Sequence, residues 1–196
     1  MARAVPISVA DAIWPARENN RITRAVVLAL LGSALLTASA KVQVPFYPVP
    51  MTMQTMVVLL LGMTLEPRLA LATVLLYLAQ GAAGLPVFAG TPEKGVGLAY
   101  LAGPTGGYLA GFALSAWATG HILAGRRGLA PLALAALAGL ALIYLTGVLW
   151  LSSLIGAAQA LAAGVLPFVL GDLFKGALAV AIVLGAASLV RRRDDA

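Results

Sequence analysis

The chain is dominated by long stretches of Ala, Leu, Val and Gly that charge barely interrupts. Leu129–Leu151 holds no Asp, Glu, Lys, Arg or His, and Phe174–Val190 is broken only by Lys175. In hydrocarbon every backbone N–H and C=O must be satisfied within the protein, so such stretches span a membrane as helices or as a closed barrel. A barrel alternates apolar and polar residues in strands of about ten. These blocks do not alternate, so the fold class is all-α, a polytopic membrane protein. Charged residues make up 10% of the chain, against about 25% in soluble domains.

Six spans are expected. The first runs from Ile22 to Ala40; its basic approach, Met1–Arg24, resembles a secretory signal, but the apolar run Ala25–Ala40 is longer than a signal core. Pro45, Pro48 and Pro50 then forbid a regular helix and favour extended chain. The second span starts near Thr52, a candidate cap, and ends before Glu66-Pro67; the third covers Arg68–Ala83. Gly84–Ala99 is a Gly/Pro-rich loop, and the fourth span runs from Pro104 to Ala124. The fifth spans Pro131–Leu154, Gly156–Gly164 is a continuation or a loop, and the sixth spans Gly171–Val190. The organisation is therefore an amphipathic segment over 1–23 with Trp14 as an interfacial anchor, a membrane domain over 24–191, and a tail over 192–196.

Six spans put both termini on one side. With them lie Arg3, Arg17, Arg21, Arg24, Arg68, Arg126, Arg127, Arg191, Arg192 and Arg193, while Lys41, Lys94 and Lys175 fall opposite. Positive charge accumulates on the cytoplasmic side, so both termini are expected there. The net charge of +6 is thus explained by flanks facing the cytoplasm, not by a nucleic-acid surface.

The outer side then collects the remaining polar chemistry: Lys41, Glu93, Lys94, Asp172 and Lys175, with both Gly/Pro-rich connections. Asp172 and Lys175 are three residues apart, on one face of a helix. An Asp or Lys at mid-membrane costs roughly 2.5–3.5 kcal/mol on insertion scales, which makes an intramembrane pair a functional-site candidate. An ion pair pinning a helix end is the alternative, and Lys41 and Lys94 can also simply snorkel into water. Cysteine is absent and His121 is the single histidine, which excludes disulfides, thiol chemistry and histidine clusters. No G-x-S-x-G, phosphate-loop or H-E-x-x-H motif occurs, so no catalytic set, metal site or cofactor is expected.

Small residues recur every fourth position in two spans. Gly103, Gly107, Gly111, Ser115 and Thr119 suit internal packing. Ala25, Ala29, Ser33 and Thr37, flanked by Ala34 and Ala38, form a broad face that suits either internal packing or a second subunit.

Four blocks carry a family likeness: Val49–Thr55 (VPMTMQT), Gly84–Gly90 (GLPVFAG), Gly103–Leu109 (GPTGGYL) and Gly171–Lys175 (GDLFK). In this order they resemble BioY, the biotin-capturing S component of energy-coupling factor (ECF) transporters. The resemblance covers Ala29 to Val190. It implies a six-helix membrane fold of S-component type in a bacterial inner membrane, with an outward-facing biotin pocket closed by the loops after the first and third spans. It also implies a transmembrane coupling protein and two ATPase subunits as partners, with ATP bound only by the latter, and the small-residue face of the first span as the docking surface. The family's acid and lysine fall on Asp172 and Lys175; its loop contact falls within Thr91–Gly97, where Glu93 and Lys94 stand. Gln54 belongs to the first block.

The ligand's chemistry fits. Asp172 can accept ureido N–H bonds, Lys175 can donate to the ureido oxygen or pair with the tail carboxylate, and Phe88, Tyr100 and Tyr108 can enclose the apolar ring. Another vitamin, such as thiamine or riboflavin, remains an alternative, as does an intramembrane enzyme using Asp172 as a base on a lipid. The sequence leaves homo-oligomerisation open.

Overall fold

The structure, a computed structural model, describes residues 10, 14–15, 19–124, 126 and 128–194, with backbone alone from 190 onward. The expectations resting on Arg3, Arg17, Arg127, the side chains of Arg191–Arg193 and most of the N-terminal segment lie outside the described residues.

Helix α1 spans Arg21–Lys41, and the Pro-rich connection folds into a small antiparallel hairpin, β1 (Gln43–Val44) and β2 (Met51–Thr52), with Gln43 opposite Thr52. Helix α2 is Gln54–Thr64, α3 is Pro67–Ala82, α4 is the short Leu98–Leu101 and α5 is Gly106–Leu123. Helix α6 is Leu129–Ile155, α7 is Ala157–Gly164 and α8 is Val169–Asp194.

The expected helix positions are met within a few residues, with local corrections. Thr52 sits in β2 and not at a helix cap, although its hydroxyl still accepts the Gln54 N–H at 3.2 Å. Pro104 lies in a turn before α5 and not in its first turn. Gly156, at φ +85, breaks α6 from α7, a backbone conformation that L side chains rarely adopt. Among the described residues the hairpin is the one departure from an all-helical reading.

By length and apolar composition α1, α6 and the 169–189 part of α8 can each cross a membrane. At 11, 16 and 18 residues, α2, α3 and α5 are shorter; a crossing takes about 20 residues. They are held by neighbours: α5 packs most extensively on α6, and α2 and α3 both pack on α5.

The α5–α6 contact rests on absent side chains. A Cβ at Gly107 would overlap Trp150, one at Gly111 would overlap Thr146, and one at Gly147 would overlap the Tyr108 ring. Ser115 and Thr119 are fully buried on the same face. The small-residue stripe of this span is therefore internal packing, as expected. On α1 the stripe divides. Ser33 is buried and donates to the Gln80 side-chain carbonyl of α3, so it faces inward. Ala34 and Ala38 are exposed beside Leu30, Leu31 and Leu35, while Ala25, Ala29 and Thr37 are partly buried between.

Overpacking a filled contact costs about 1–3 kcal/mol. Gly147→Val should therefore lower the melting temperature of the protein in detergent; an unchanged melting temperature would contradict the close α5–α6 approach.

Candidate functional site

Asp172 occupies the first turn of α8, where the helix dipole favours a carboxylate. One turn on, Lys175 places its Nζ 2.8 Å from Asp172 Oδ1. Both residues are only 6% exposed. The other carboxylate oxygen, Oδ2, accepts the hydroxyl of Tyr144 on α6 at 2.7 Å. The pair is desolvated and anchored from a second helix. Tyr144 went unremarked in the sequence, where it stands inside the uncharged block Leu129–Leu151. A buried phenol needs a partner, but sequence alone cannot say which.

Asp172, Lys175 and Tyr144 open onto a cleft of about 560 Å³, its open mouth included. The hairpin and the head of α2 contribute Met51, Thr52 and Gln54; the head of α5 contributes Tyr108 and Phe112; Phe168 precedes α8. Apolar walls around a few convergent polar groups suit a ligand with a greasy body and a polar edge.

A chain of hydrogen bonds holds the walls. The Gln54 amide donates to the Tyr77 hydroxyl at 2.8 Å, which donates to the Val87 carbonyl at 3.2 Å. Tyr100 donates to the Ala89 carbonyl at 2.7 Å, and burial raises its phenol pKa, so it remains a neutral donor. Tyr108 donates to the Gly164 carbonyl at 2.8 Å, tying α5 to the end of α7. Lys41, at the end of α1, does not snorkel free. Its Nζ donates to the carbonyls of Pro86 (2.8 Å), Phe88 (2.9 Å) and Thr91 (3.2 Å) and to the Thr91 hydroxyl (3.1 Å). It thus tethers the loop that follows α3.

The expected site residues separate accordingly. Asp172, Lys175, Gln54, Tyr100 and Tyr108 line one cleft. Phe88 does not: it is buried behind the wall, stacked on Tyr100 at 4.8 Å and edge-on to Tyr77 at 5.4 Å, and Ala89 takes the wall position. Lys94 lines a separate recess with Pro48, Pro104 and Thr105, beside the cleft. Glu93 is exposed and lines neither. The loop turns back on Lys41, which leaves Phe88 buried behind the wall and Glu93 and Lys94 at the exposed tip.

The BioY family model matches residues 9–192. The chain belongs to the BioY family. Among its relatives, "Probable biotin transporter BioY" of Pyrococcus horikoshii is 40% identical over 80% of this chain and 92% of its own length. "Biotin transporter BioY" of Thermotoga maritima is 37% identical over 82% and 94%. In structure the chain is similar to the S-component for biotin from an ECF-type ABC transporter, with a TM-score of 0.76, 27% identity, and 88% and 95% of the two chains covered. This BioY member shares the mostly helical S-component-like architecture, and the named relatives are transporters.

Removing one partner of a buried ion pair costs about 3–5 kcal/mol, whereas replacing both by apolar residues is often near neutral. Asp172→Ala should therefore destabilise the protein more than the double change Asp172→Leu with Lys175→Met, measured by thermal unfolding in detergent. Equal or reversed effects would contradict a desolvated pair.

Proposed function

We propose that this chain captures biotin at the outer face of the cytoplasmic membrane and delivers it inward as the substrate-binding subunit of an ECF-type transporter. Supporting observations are its membership of the BioY family and the cleft in which a buried acid–base pair meets apolar and aromatic walls. The pair carries the reading: a carboxylate and an ammonium held in a desolvated cleft offer charge-assisted bonds, about twice as strong as neutral ones, to a compact polar ligand group.

In this reading Asp172 accepts a ureido N–H and Lys175 donates to the ureido oxygen. Tyr100 and Tyr108 flank the apolar part of the ligand, and Gln54 closes the wall below. Six helices span the membrane with both termini cytoplasmic; the short α2, α3 and α5 cross within the shelter of the other helices. ATP is hydrolysed by partner subunits, and the coupling protein docks on the exposed part of α1, at Ala34 and Ala38 with the partly buried Ala25, Ala29 and Thr37 beside them. Ser33 is left out of that surface because it is engaged with α3.

Purified protein should bind biotin saturably, with thiamine and riboflavin failing to compete. No biotin binding, or competition by either vitamin, would overturn the ligand assignment. Because the chain lacks cysteine, single cysteines report sidedness cleanly. Lys94→Cys should react with an impermeant thiol reagent on intact cells and Arg126→Cys only after permeabilisation; the reverse pattern would overturn the topology.

A further inference from the structure

Among the described residues two side-chain donors reach the Asp172 carboxylate, and they divide it. Tyr144 takes Oδ2 and Lys175 takes Oδ1. Each carboxylate oxygen has two acceptor positions, and an ammonium has three donors. Among the described residues Oδ1 therefore keeps one acceptor position and Lys175 Nζ two N–H donors for a further partner, the two atoms standing 2.8 Å apart at the cleft wall. An acceptor beside a donor at this spacing matches the edge of a cyclic urea or lactam, where an N–H stands next to a C=O. Two carboxylates or two ammonium groups do not match it.

The match holds only while the carboxylate keeps its plane. The terminal torsion of Asp is broad and roughly two-fold, so it does not fix that plane by itself. Lys175 cannot fix it either, since its long stem follows whichever oxygen is presented. Tyr144 can. Its hydroxyl comes from α6, a different helix from the one that carries the pair. This stretch of α6 is held in turn by the close Gly147–Tyr108 contact.

We propose that Tyr144 is a positioning residue for ligand specificity: by engaging Oδ2 it turns Oδ1 and Lys175 into a fixed acceptor–donor edge that reads the N–H/C=O edge of a cyclic urea. The inference rests on the assignment of biotin to this cleft and deepens it. Tyr144 is not required to touch the ligand; it acts through Asp172.

The test is a double-mutant cycle on biotin affinity, built from wild type, Tyr144→Phe, Asp172→Asn and the double variant, with thermal stability measured alongside. A hydrogen bond to a charged group is worth about ten-fold or more in an equilibrium. Tyr144→Phe should weaken biotin binding about ten-fold in the wild-type background and have no effect when residue 172 is already Asn. Desthiobiotin, which keeps the cyclic urea but lacks the thioether, should lose the same factor as biotin in the single variant. If Asp172→Asn binds too weakly to close the cycle, that equal loss decides the matter. Wild-type affinity in Tyr144→Phe, the same loss in both backgrounds, or a loss for biotin but not desthiobiotin would overturn the role of Tyr144. Failure of the wild-type protein itself to bind biotin would overturn the ligand assignment, and this inference with it.

Discussion

The structure is organised around one desolvated ion pair. Asp172 and Lys175 sit where neither ion would be stable alone. The position is tolerable because each partner satisfies the other, because the first turn of α8 favours the carboxylate, and because Tyr144 supplies a further donor. Both side chains line the cleft.

The same constraint explains the irregular backbone nearby. Non-helical chain at membrane depth is tolerated only where it is buried in protein or lines a cavity. Here the loop carbonyls of Pro86, Val87, Phe88, Ala89 and Thr91 are taken by Lys41, Tyr77 and Tyr100, and the Gly164 carbonyl by Tyr108. Three tyrosines and one lysine thus turn loops into walls. The helices beneath need only be close, and glycines on α5 and α6 provide that closeness.

The helices were legible in the sequence because their signal is additive: many apolar residues agree, and an error of two positions changes little. The pair Asp172–Lys175 was legible because charge in an apolar block is rare and the i, i+3 spacing fixes a common face. Other features depend on contacts between distant segments. The stripe on α1 shows that small residues share a face but not that Ser33 turns to Gln80 on α3. Phe88 and Ala89 are adjacent, and contacts with Lys41, Tyr77 and Tyr100 on distant segments hold the loop in which Ala89 reaches the cleft. Tyr144 carries one hydroxyl in a long apolar run, and its partner lies 28 residues away. The hairpin, two residues per strand between prolines, is too short for any period to reveal.

The central claim is that the Asp172–Lys175 pair is the polar end of a biotin site. The most direct measurement is a crystal structure of the protein grown with biotin. The account predicts the ureido ring against Asp172 and Lys175, with the thioether ring among Tyr100, Tyr108 and Phe112. Biotin bound elsewhere, with the ion pair closed and untouched, would contradict it.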